Sequence, residues 1–152
     1  SVDATSHEVK SLNYLNSILA KLEANNAGID EALCLDQNGF VCEGVAENLF
    51  IVKDDKVITT PTCTGALHGI TRTVVMKLVE RLGYHLIERN ITPSELFMAN
   101  EVFLTGTAAE ITAVREINKR VVGDGKAGPV TKKVMQEFDK LVRDPKEGVP
   151  IR

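Results

Sequence analysis

The sequence predicts an α+β (mixed α/β) fold in which antiparallel hairpins alternate with helices. Two observations predict it. Short apolar stretches stand in pairs around turn-forming residues, and longer stretches carry apolar residues at helical spacing. Strands and helices do not alternate one for one, which argues against a Rossmann arrangement.

Taken in order, residues 11–26 place Leu12, Leu15, Leu19 and Leu22 on one helical face with Ile18 beside them, and Gly28 stops the helix. EALCLD and FVCEG flank Asn38-Gly39, a hairpin signal. NLFIVK and KVITT flank Asp54-Asp55 and read as a second hairpin. Ile70, Val74, Leu78 and Leu82 predict a helix over 70–82, ended by Gly83. YHLIERNI reads as a strand. Thr92, Pro93 and Glu95 make a helix start with a capping box. EVFLTGT and EITAVREI read as strands joined by a tight loop at Gly106–Ala109, and Asn118 to Arg120 turns the chain. Gly128-Pro129 opens a final helix through Arg143, followed by a polar tail over 144–152.

The bulk properties exclude several classes. At 152 residues the chain suffices for one domain with its own core. A net charge of -3 gives no basic surface for nucleic acid or anionic membranes. No apolar run is long enough to span a bilayer, and no signal peptide is visible. Cys34, Cys42 and Cys63 have no metal-ligand spacing and are expected as buried or half-buried free thiols in a reducing cytoplasm. His7, His68 and His85 show no ligand spacing either, so no metal site is expected.

Four weak signals bear on chemistry. The helix beginning after Gly65-Ala66-Leu67-His68-Gly69 offers the Ile70 and Thr71 amides to an anion. Thr105-Gly106-Thr107-Ala108-Ala109 follows a strand with small residues that leave amides accessible. Glu43 ends a strand in an apolar setting, where a carboxylate needs a partner. Lys10 precedes the first helix. Each has an ordinary structural explanation when taken alone.

Together they resemble the class IV (fold-type IV) aminotransferases, which include branched-chain, D-amino-acid and aminodeoxychorismate enzymes. The likeness rests on Lys10-Ser-Leu-Asn-Tyr14, on EGVAENLF from Glu43 to Phe50, on LHGITR from Leu67 to Arg72, and on TGTAAEI from Thr105 to Ile111. Order and spacing fit from about Lys10 to Arg143, and the branched-chain enzymes are the nearest. Three details depart from the pattern: the short Ser11-Leu12-Asn13 segment, Val45-Ala46 after the glutamate, and Ala113 in place of a common proline.

The resemblance implies a cofactor, pyridoxal 5'-phosphate, and a set of roles. Lys10 would be the Schiff-base lysine and proton carrier. Glu43 would hold the protonated pyridine nitrogen, and Tyr14 the phenolic oxygen. The spacing of four between Lys10 and Tyr14 suits one helical face. Leu67 would pack on the ring. Ile70, Thr71 and Thr107 would bind the phosphate, and Thr107 with Ala108 the substrate carboxylate. Asn48 would support the Glu43 segment. The implied fold is the C-terminal large domain of the D-amino-acid aminotransferase-like group, an antiparallel-rich pseudo-barrel flanked by helices. That domain would occupy 1–143, with the N-terminal small domain absent from this chain. The implied reaction is transamination between a branched-chain L-amino acid and 2-oxoglutarate in a cytoplasmic homo-oligomer, a dimer or larger. Alternatives on the same scaffold are a D-amino-acid aminotransferase, an aminodeoxychorismate lyase, or a domain that folds without turnover.

Overall fold

The computed structural model of the protein describes Lys10 and residues 14–146. Its elements are α1 (Leu15–Asn26), β1 (Leu33–Leu35), β2 (Val41–Gly44), β3 (Asn48–Lys53), β4 (Lys56–Thr59), α2 (Ile70–Arg81), β5 (His85–Glu88), α3 (Pro93–Phe97), β6 (Glu101–Gly106), β7 (Glu110–Ala113), β8 (Glu116–Ile117), β9 (Arg120–Val121) and α4 (Pro129–Val142).

The hairpin of β3 and β4 forms where the sequence predicts it. Asp54 and Asp55 both take positive φ (49° and 59°), the two-residue geometry whose twist suits paired strands. Around it lies a five-stranded sheet in the order β5-β4-β3-β6-β7. Every pair is antiparallel except β4 with β5, and α2 supplies the crossover that a parallel pair requires.

Both faces of this sheet are covered, so its central strands read as unbroken apolar runs. Phe50, Val52, Val57 and Phe103 point to one side and pack with Val75, Leu78 and Val79 of α2 and Val130, Val134 and Phe138 of α4. Phe50 and Phe103 stack there with ring centroids 5.0 Å apart. Leu49, Ile51, Ile58, Val102 and Leu104 point to the other side, packing with Val41, Ile91, Leu96 and Val122. The β1–β2 and β8–β9 pairs and α3 lie over this second core, the form that the expected pseudo-barrel takes here. Among the described residues no strand pair closes the large sheet on itself.

Several expectations need correction. The stretch EITAVREI is not one strand: β7 ends at Ala113, and Glu116–Ile117 pairs separately with β9 across an Asn118-Lys119 turn of positive φ. The strand of YHLIERNI is only His85–Glu88. The buried face of α2 runs through Thr71, Arg72, Val75, Leu78 and Val79, one position on from the expected stripe, and Ile70 is 80% exposed. In α1 only Ala24 is buried, while Leu15, Ile18, Leu19 and Leu22 face outward; Leu12 lies outside the described residues. Cys34 and Cys42 are half-buried and buried as expected, but Cys63 is exposed.

Two polar ties fix helices to the strands. Arg72 is fully buried, and its Nη2 donates to the Thr60 carbonyl (2.9 Å) and to Glu88 Oε2 (2.6 Å). The Thr60 hydroxyl in turn donates to the Cys42 carbonyl (2.6 Å). The first turn of α2 is thereby tied to β2, next to Glu43. The second tie holds α4. Glu101 of β6 is buried, and its carboxylate accepts from the first amides of the helix, Val130 N (3.0 Å) and Thr131 N (2.7 Å). Gly128 is required beside it, because a Cβ there would overlap the Glu101 side chain.

Replacing Glu101 by alanine leaves two buried amides without acceptors. Glu101→Ala is expected to lower stability by about 2–3 kcal/mol, read as a shifted urea midpoint with unchanged m-value.

Candidate active site

Glu43 stands near the end of β2, half-buried between the buried Cys42 and Gly44. Two donors converge on its Oε2: the Leu67 amide at 2.9 Å and the Asn48 carboxamide nitrogen at 3.2 Å. Its Oε1 has no hydrogen-bond partner among the described residues. Burial pushes the carboxyl up from the usual 4.5 to about 7. The Leu67 hydrogen bond opposes this rise, the nearby Glu47 charge adds to it, and the Lys10 charge lowers it. Lys10 thus acts on Glu43 through space although 33 positions separate them in the chain. The same carboxylate, after burial, raises the neighbouring thiols, Cys42 to about 12 and Cys34 in the same direction, so neither is a ready nucleophile.

Lys10 and Tyr14 meet. The described part of α1 starts at Leu15, and Tyr14 is its N-cap. Lys10 Nζ lies 5.9 Å from the Tyr14 ring centroid, a cation–π contact; the residues between them, on which the expected shared helical face depends, lie outside the described residues.

Leu67 precedes α2 and is half-buried. Its amide serves Glu43, and its carbonyl accepts from Asn48 Nδ2 at 2.8 Å. Gly69 caps α2 in an extended conformation, and among the described residues no side chain satisfies the first amides of this helix. That contrasts with α3, where the Thr92 hydroxyl accepts from Glu95 N, and with α4, which Glu101 caps. Ile70 and Thr71 therefore present the free amide end that the sequence suggests.

The fourth segment arrives along β6. Thr105 pairs with Asn48 across the β3–β6 ladder, which brings Gly106, Thr107 and Ala108 to the same end of the sheet. Gly106 packs there on Ala46 and Glu47. Thr107 and Ala108 are exposed, and among the described residues no hydrogen bond joins them to α2. The Thr105 hydroxyl is buried and has no partner. The structure thus links Lys10, Tyr14, Glu43, Leu67 and the start of α2 by direct contact or charge. It brings Thr107 and Ala108 near through strand register alone. A separate cleft of about 310 Å³ beside α2, lined by His68, Arg72, Met76 and Glu88 among others, contains none of the predicted site residues.

Thr60 and Arg72, which set the position of β2 against α2, are invisible to periodicity. A buried arginine in a helix is indistinguishable in sequence from an exposed one. Among the described residues no group of three or more His, Cys, Asp or Glu side chains is placed to hold a metal, and no helix is long and apolar enough to cross a membrane.

Among the described residues, a carboxyl with one oxygen unpaired, a lysine within charge range and a helix end without a side-chain cap make up the candidate site. The sequence pattern described as amino-transferase class IV matches residues 1–117. The chain belongs to this family. A branched-chain-amino-acid aminotransferase of Pseudomonas aeruginosa is 48% identical over 129 residues, 85% of this chain and 42% of that protein. The Escherichia coli branched-chain-amino-acid aminotransferase is 47% identical over 126 residues, 83% of this chain and 41% of that one. Among solved structures, a T.th. branched-chain amino acid aminotransferase complexed with N-(5'-phosphopyridoxyl)-L-glutamate superposes with a TM-score of 0.91 at 42% identity, covering 96% of this chain and 50% of that one. The fold is therefore that of the fold-type IV enzymes. The chain spans about half the length of the relatives it matches.

Because Glu43 titrates at about 7 when folded and near 4.5 when unfolded, the folded state binds the extra proton between these values. Stability due to this group then falls as pH rises through that window. Glu43→Gln is expected to flatten the fall. At pH 8 it should gain about 2 kcal/mol over the parent, less than the roughly 3 of the full shift because solvent reaches part of the group. Urea unfolding at pH 5 and pH 8 checks this.

Proposed function

We propose that residues 1–143 form the cofactor-binding part of a pyridoxal-phosphate-dependent branched-chain amino acid aminotransferase. The protein would exchange the amino group between a branched-chain L-amino acid and 2-oxoglutarate. The observation that carries the reading is the Glu43 carboxyl: half-buried, reached by the Lys10 charge, and with one oxygen that no described residue pairs. A protonated ring nitrogen is the donor such an oxygen lacks, and its positive charge offsets the burial cost.

The residues present fit the group. Pyridoxal phosphate supplies, when bound, an aldehyde that accepts the amino group and a ring that takes up the electron pair released at the substrate α-carbon. Glu43 Oε1 would accept from the ring nitrogen and keep its proton in place. The Ile70 and Thr71 amides, which no side chain caps, would donate to the phosphate with the dipole of α2 behind them. The Thr107 hydroxyl would add a donor there. The Thr107 and Ala108 amides would receive the substrate carboxylate. Tyr14 would donate to the phenolic oxygen, and Leu67, held by its two hydrogen bonds, would support the ring face. Lys10 Nζ would attach to the aldehyde in the resting state and carry the proton on and off the α-carbon during turnover.

The branched-chain substrate class rests on the relatives, each a branched-chain enzyme in its description. A second, N-terminal domain is part of the same proposal, supported by relatives about twice as long, and a cytoplasmic homo-oligomer is proposed with it from the family likeness alone.

In the full-length protein, added pyridoxal phosphate is expected to give a visible absorbance band that Lys10→Ala abolishes. L-leucine should be turned over with 2-oxoglutarate in ping-pong fashion. Glu43→Gln should lower kcat at least about 100-fold while leaving the band. Turnover of D-alanine or aminodeoxychorismate without L-leucine would overturn the branched-chain assignment.

A further inference from the structure

Two cofactor anchors, Glu43 and the amino end of α2, come from segments 27 positions apart, and one side chain touches both. Asn48 opens β3 and is buried. Its Nδ2 donates to Glu43 Oε2 at 3.2 Å and to the Leu67 carbonyl at 2.8 Å. The identity of this nitrogen follows from its partners, because a carbonyl and an ionised carboxylate can only accept. The amide's other end, Oδ1, then faces Gly69, the N-cap of α2, so closely that any Cβ at Gly69 would overlap it. A glycine is thus required at 69 by the approach of Asn48, not by its backbone angle, since its φ of -66° suits any residue.

We propose that Asn48 is a positioning residue whose carboxamide, wedged between Glu43, Leu67 and Gly69, sets the spacing between the carboxylate that would hold the ring nitrogen and the amides that would hold the phosphate. This rests on the cofactor reading above and deepens it. The three contacts interlock. Asn48 holds the Leu67 carbonyl while the amide of the same residue holds Glu43, so the peptide on either side of Leu67 is fixed relative to the carboxylate. Two residues on stands Gly69, the N-cap of α2, and Oδ1 lies against it, adding to the tie that Arg72 makes to Thr60. The backbone of β3 anchors the wedge, because Asn48 is in ladder register with Thr105 of β6. A shift of Asn48 moves the two anchors independently, and a rigid ligand spanning both tolerates little mismatch.

The test uses the Leu67 amide as a reporter. Charged groups acting on or beside Glu43 are Lys10 and Glu47, together with the Cys34 and Cys42 thiols that its charge raises. Glu43→Gln therefore serves to assign the transition. In cofactor-free protein the Leu67 N–H chemical shift is expected to follow the Glu43 titration near pH 7. Asn48→Ala should cut the amplitude at least twofold. Gly69→Ala leaves Asn48 in place chemically but displaces it, and should do the same. Should Asn48→Ala not fold, Asn48→Ser with Gly69→Ala provides the comparison. In full-length protein both variants should weaken pyridoxal phosphate binding about tenfold, the worth of one hydrogen bond to a charged group. A Leu67 transition of full amplitude in both variants, with only stability reduced, would show that Asn48 merely fills space and overturn the proposal. Absence of any Lys10-dependent absorbance band in the parent would instead sink the cofactor reading, while the cofactor-free measurement still decides the role of Asn48.

Discussion

A half-buried carboxylate with one oxygen that no described residue pairs is the constraint around which the proposed site is organised. Two glutamates, one buried and one half-buried, make the point by contrast. Glu101 gives each oxygen a backbone amide and thereby closes the start of α4. It is a structural rivet with nothing left to offer. Glu43 spends one oxygen on two donors and leaves the other open, at a cost visible in its upward shift to about 7. Folding alone would favour a quieter residue there. A half-buried acid pushed up in this way is the kind of local conflict expected where a fold serves chemistry.

The surrounding architecture keeps that acid in place. Arg72 and Thr60 tie α2 to β2 through one buried guanidinium and one hydroxyl. The stacked Phe50–Phe103 pair and the α2–α4 core fix the far side of the sheet. The site thus stands on a wall whose parts are joined by side-chain hydrogen bonds as well as by the strand ladder. By contrast Lys10, Tyr14, Thr107 and Ala108 are exposed. In the proposed function, that contrast suits a ligand held at one end and reached by substrate at the other.

Much of this is legible in the chain. The α+β class, the Asp54-Asp55 hairpin, the Thr92 cap and the start of α4 follow from turn and capping chemistry, which acts over a few residues and leaves a local signature. The grouping of Lys10, Glu43, Leu67 and Ile70 comes from the order of four motifs, because no single spacing implies it. What sequence does not supply is tertiary. The buried stripe of α2 lies one position from its apolar periodicity, and it takes in Arg72, which is held by Thr60 and Glu88. EITAVREI reads as one strand because the break after Ala113 carries neither glycine nor proline. Asn48 suggests support for Glu43, but its grip on Gly69 depends on a contact that only the fold creates.

The leucine-lined face of α1 has a consequence for the order in which the site comes together. Within the described residues this helix is anchored by little beyond Ala24 and the reach of Lys21 to Asp30 and Glu31. A twelve-residue helix has scant stability of its own in water. Its amides therefore belong to the low end of the protein's opening free energies, whereas those of β3 belong to the high end. Tyr14 rides on the element that opens first, and Glu43 sits beside the one that opens last. The carboxylate wall is in this sense a template already in place, against which the tyrosine side of the site settles.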